Sequence, residues 1–186
     1  MIVAIPAAAP ALIIGLDRGD IERILKLTTW PRTDADRARF HEPYIFDVGD
    51  AGLLERIEII TEARRLLLIA EDHARAGDQM FARGTRDAEE ALKPWRGVVS
   101  ILARVRFDPA NPLVGGEAYT VAIADVAAKD VQRTTRWSLG EPAAIVGWDI
   151  EGRFAATGIG PTSRDVRVLR KGVEQARVRV DFSKLD

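Results

Sequence analysis

The chain has 186 residues, 47% of them hydrophobic and 30% charged, a composition that supports a buried core in one large domain or two small ones. Its 27 basic and 28 acidic side chains leave a formal net charge of −1, so no overall field draws it to nucleic acid or to an anionic membrane surface. The absence of cysteine excludes disulfides, thiolate nucleophiles and cysteine-ligated zinc or iron–sulfur centres.

Residues 1–16 carry no charge, and Pro6 and Pro10 interrupt them, which makes the stretch too short and broken for a membrane span. It reads as an ordinary buried N-terminal segment, with the remnant of an export signal as the alternative. Pro10 suits the first turn of a short helix through Leu16, and Asp20 suits the N-cap of a second over 21–27. The polar stretch 28–44, with Pro31 and Pro43, reads as a long connection. The main helical element is predicted over about 51–76, capped by Asp50. At helical spacing Leu53, Ile57, Ile60, Leu66, Leu67 and Ala70 fall on one broad apolar arc, while Glu55, Glu58, Glu62, Arg65 and Asp72 fall opposite. Gly77 ends it as a C-cap glycine. A further helix over 87–93 has Asp87 and Glu90 at capping-box spacing and stops at Pro94.

The hydrophobic period changes at Trp95-Arg96-Gly97. From there Val99, Ile101, Ala103, Val105 and Phe107 alternate with Ser100, Arg104 and Arg106, the period of a strand with one buried face. Strands are predicted over 98–107, 118–124, 131–139, 143–150, 152–158, 164–170 and 175–182, the last two joined around Lys171-Gly172. Seven short strands in about ninety residues suggest a sandwich. The predicted fold class is therefore α+β: a helical region, 1–97, packed on a C-terminal antiparallel β-sandwich, 98–186, in one cooperative unit.

The run Phe107-Asp-Pro-Ala-Asn-Pro-Leu-Val-Gly-Gly-Glu-Ala-Tyr-Thr-Val121, followed by Trp137-Ser138, resembles the second half of bacterial Ig-like surface domains. The resemblance covers residues 98–139. It implies an Ig-like sandwich and an extracytoplasmic setting.

No catalytic motif accompanies this architecture, and neither a cofactor nor a metal is expected. His73, beside Glu71 and Asp72, cannot share one ion with them, because successive helical residues point about 100° apart. His41 reads as a hydrogen-bonded anchor of the long connection. Arg56, Arg64 and Glu71 project into the apolar arc and read as edge residues with packed stems, or as a buried polar network serving a ligand. Gly115-Gly116 and Gly158-Ile-Gly160 lack the strand–helix context of a phosphate cradle. Arg167, Arg170, Lys171, Arg177 and Arg179 make the terminal hairpin basic without the aromatic residues that nucleic-acid stacking needs, a pattern that suits a guarded sheet edge. Trp137 is expected in the core and Trp95 at the helix–sheet junction, while Trp148 fits either face. Trp30, Arg177 and Arg179 are the candidate interface residues. The function these features favour is a non-enzymatic structural or interaction protein that binds a protein partner or itself. A small-molecule binding module and an enzyme without a recognisable motif are the alternatives.

Overall fold

The period-two run after Gly97 folds as a strand, β3 (Val98–Arg106), and its odd residues Val99, Ile101, Ala103 and Val105 are all buried. The computed structural model describes residues 15–29, 34–48, 53–110, 112–113 and 115–185. Within them β3 is the centre of a five-stranded sheet, in the order β1 (Ile45–Asp47), β2 (Leu54–Ile60), β3, β7 (Ile145–Ala155) and β6 (Asp130–Trp137). A four-stranded sheet runs β5 (Val126–Ala127), β4 (Tyr119–Ile123), β8 (Ser163–Arg170) and β9 (Val173–Asp181). All neighbours are antiparallel. The sheets share one apolar cluster, with Ile57, Ile101 and Ile150 from the first and Val121, Val166 and Val180 from the second, as in a β-sandwich.

The helix expected over 51–76 is two elements. Its first half is the strand β2, and only Glu62–Arg75 is helical, α3. Ile57, Ile59 and Ile60 fit a helical arc and a strand equally, and their β-branched side chains favour the strand when β3 lies alongside. The Thr61 hydroxyl then caps α3 by accepting from the Arg64 N–H at 3.3 Å. Strand geometry also moves Glu58, expected on the wet side, into a buried position. The proposed Asp50 cap and the helix before Leu16 lie largely or wholly outside the described residues.

The other helices shift by a few residues. α1 (Arg18–Leu25) is capped by Asp17, with Asp20 as the reciprocal partner in a capping box rather than the cap itself. The connection 28–44 contains a polar helix, α2 (Asp34–His41); it buries no residue, so no apolar period marks it, but its acidic first turn and basic last turn match the helix dipole. α4 spans Thr85–Leu92. Gly77, at φ +81°, follows α3 as a left-handed cap. Ile21, Ile24, Leu66, Leu67, Ala88 and Leu92 form a second apolar cluster, separate from that of the sheets.

The two strands expected over 143–150 and 152–158 are one, β7. Gly152 is not a break but a place of close approach. A Cβ there would sit 2.2 Å from Val121 Cγ2 and 2.7 Å from the Ala128 Cβ. Gly152→Ala is expected to cost about 1–3 kcal/mol through overpacking. Leu67→Ala, in the helical cluster, is expected to cost about 2–5 kcal/mol through the cavity it leaves. Urea titration of the two variants measures both.

Candidate functional site

The joint between β2 and α3 gathers most of the buried charge. Arg64 is 2% exposed and directs four N–H groups at partners. Nη1 donates to the carbonyls of Ile59 at 2.7 Å and Tyr44 at 3.2 Å, Nη2 to Glu58, and Nε to His41 Nδ1 at 3.4 Å. Arg56 Nε lies 2.8 Å from the other Glu58 oxygen. Because His41 accepts at Nδ1, its proton is on Nε2, which donates to Glu71 Oε1 at 3.1 Å. Burial pulls the Arg64 guanidinium below its ordinary pKa, with Glu58 opposing. Burial pushes the Glu71 carboxyl up, but the hydrogen bond from His41 and the positive charges around it outweigh that and hold it below its ordinary value. Sequence position alone suggested Arg56, Arg64 and Glu71 as a group; the structure joins them through Glu58 and His41.

The neighbouring residues continue the joint. Glu62 accepts from the backbone of Gly97 at 2.6 Å, Gly15 at 3.2 Å and Leu16 at 3.3 Å, and from Arg96 Nη1 at 3.1 Å. Arg65 donates to Glu151 and Ser100 on the first sheet, with its guanidinium 3.9 Å from the Trp95 ring centroid. This places Trp95 at the helix–sheet junction. Both ring nitrogens of His41 and most donors of Arg64 are committed, so these two side chains act as a bracket between α3 and the segments around it. His73 pairs with Asp78 at 2.8 Å and stacks on Phe81. Among the described residues no group of three His, Asp or Glu side chains is placed to hold a metal, and no helix is long and apolar enough to cross a membrane.

Of the candidate interface residues, Trp30 lies outside the described residues. Arg177 and Arg179 are exposed on β9, an edge of the second sheet. They pair with Glu174 and Asp165, each at 2.9 Å. The hydrogen bond from Arg179 holds Asp165 below the usual carboxylate range.

An exposed apolar group sits at the far end of the first sheet. Trp137, expected in the core, is 57% exposed, Leu139 is fully exposed and Val146 is 37% exposed. All three belong to the β6–β7 hairpin, where Trp137 pairs with Ile145 and the Ser138 N–H donates to the Ala144 carbonyl. Trp137 is wet because β6 is an edge strand whose ladder is interrupted beside it, between Arg136 and Trp137. Five consecutive polar residues, Gln132 to Arg136, were the available sign of an edge. Trp148 lies on the inner face against Phe107.

Comparison with protein-family models, with curated proteins and with solved structures finds no match to this chain.

Glu58→Ala, which strands the Arg64 charge, is expected to cost about 3–5 kcal/mol in a urea titration. The lowered Glu71 carboxyl binds fewer protons in the folded than in the unfolded chain. Its contribution is therefore present above the ordinary value of 4.5 and is lost as the pH falls through and below it. Between about pH 6 and pH 3 the urea midpoint of Glu71→Gln should fall less steeply than that of the parent chain.

Proposed function

We propose that this chain is a non-enzymatic interaction protein, a subunit that binds another protein through the exposed end of its first sheet. The observation that carries this reading is the apolar group Trp137, Leu139 and Val146, set together on one hairpin beside a free strand edge. Apolar exposure is unfavourable in water and is relieved when a partner covers it. The likeness of residues 98–139 to bacterial Ig-like surface domains favours an Ig-like sandwich working in an extracytoplasmic assembly. The alternative of a small-molecule binding module draws on a cleft of about 290 Å³ whose walls include Ile123, Phe154 and Ile159.

A photo-crosslinking amino acid in place of the fully exposed Leu139 tests the interaction reading in cells that produce the protein. A discrete protein adduct is expected, and it should disappear when Trp137→Asp is added to the same chain. Absence of any protein adduct from a folded chain overturns the reading.

A further inference from the structure

Strand β6 ends the first sheet, and among the described residues nothing pairs with its outer side. Three hydrogen bonds fix which way the backbone groups of each strand face. The Arg106 N–H donates to Leu53, the Phe107 N–H to Val146 and the Ala156 N–H to Gly97. Even residues of β3 therefore face β2 and odd ones face β7; in β7, even residues face β3 and odd ones face β6. With Asp149 opposite Thr134 and Glu151 opposite Gln132, the even residues of β6 bond to β7. The N–H and C=O groups of Val131, Arg133 and Thr135 point outward, and one of them, the Val131 carbonyl, accepts from Arg133 Nη1 at 3.2 Å. Beyond the ladder irregularity, Ser138 faces β7, so Trp137 points outward too.

Resting on the interaction reading above, we propose that the partner is a second copy of this chain. It docks antiparallel along β6, about a two-fold axis through Thr134, so that one sheet runs through both copies. In this register Val131 meets Trp137 of the second copy, Gln132 meets Arg136, Arg133 meets Thr135, and Thr134 meets its own counterpart. All four outward-pointing residues then face outward-pointing residues, and the half-buried Val131 and the exposed Trp137 become an apolar cross-strand pair. An axis one residue earlier sets Arg133 against itself. An axis one residue later shortens the overlap, and an axis between residues opposes outward backbone groups to inward ones.

The other described edges do not offer this. β1 has three residues and β5 two. On β9 an axis through Val178 sets Arg177 against Arg179 twice, a like-charge contact that opposes pairing. β6 has eight residues, no proline and no such clash.

The chain lacks cysteine, so single thiols report the register. Thr134 would lie in a pair that exchanges no hydrogen bonds, with Cα atoms about 4.5 Å apart, within disulfide reach. Mild oxidation of purified Thr134→Cys is expected to give a covalent dimer. Gln132→Cys, about 13 Å from its own counterpart at strand spacing, should stay monomeric. A mixture of Gln132→Cys and Arg136→Cys should yield the crosslinked heterodimer. Thr135→Pro removes an outward N–H that the monomer does not use, and should weaken self-association ~10-fold or more with the thermal midpoint of the monomer kept.

Equal crosslinking of Thr134→Cys and Gln132→Cys, or none by a folded Thr134→Cys, overturns the proposal. If Thr134→Cys stays monomeric while position 139 crosslinks to a different protein, self-pairing fails and the interaction reading stands. If neither crosslinks, both fail.

Discussion

The buried guanidinium of Arg64 ties the two halves of this molecule together. The helices and the sheets keep separate apolar clusters, with the half-buried Phe40 packed against both. Orientation of one half on the other therefore falls to directional contacts at the turn from β2 into α3. Arg64 is suited to that task because a planar fork of donors accepts few arrangements. It reaches back to the Ile59 carbonyl on β2, across to the Tyr44 carbonyl, and into Glu58 and His41. A buried ion pair is poor evidence for net stability, because desolvation offsets much of its attraction. Here its value lies in geometry: any other angle between strand and helix strands a charge away from water. Glu62 and Arg65, on either side, extend the same logic to the N-terminal entry and to the outer face of the first sheet.

The legible part of the fold was the part built on one period. In β3 and β9 every second residue is apolar, and nothing in those stretches suits a helix, so strand and face could both be read. Residues 53–60 satisfy both periods at once. The choice between them is made by pairing with β3, forty or more residues later, and no local pattern records that pairing. The polar helix α2 was hidden for the opposite reason, having no apolar stripe to read. Gly152 shows a third kind of failure. A glycine at the start of an alanine-rich stretch looks like a break, and only the nearness of Val121 and Ala128 reveals why a side chain is excluded.

The joint was half legible. Arg56, Arg64 and Glu71 stood out because charged residues fell on an apolar arc. Glu58 did not, because helical phase placed it with the solvent-facing residues. His41 was read as an anchor of the 28–44 segment, and its bond to Glu71 matches that role across thirty residues of chain. The exposed hairpin end was not legible from apolar pattern. Trp137 falls in phase with Val131 and Leu139, which reads as one apolar face, and only the strand order puts it at an edge.

That strand order also gives the four edges different characters. Two are too short to template anything, and β9 carries its arginines outward in a row that repels a copy of itself. Strands β8 and β9 soften that row internally through Asp165 and Glu174, so the charges hold their positions without uniting the edge with a like partner. β6 alone combines length, threonines at its centre and an aromatic residue at one end. Its arginines are turned to other work: Arg133 donates to the carbonyls of Gly116 and Tyr119, and Arg136 to Glu55. The Arg136 charge is drawn across the sheet, while Arg133 also donates through Nη1 to the outward Val131 carbonyl at 3.2 Å. Bracing the sheets in this way leaves β6 with only a partial defence against strand addition, one arginine over one carbonyl.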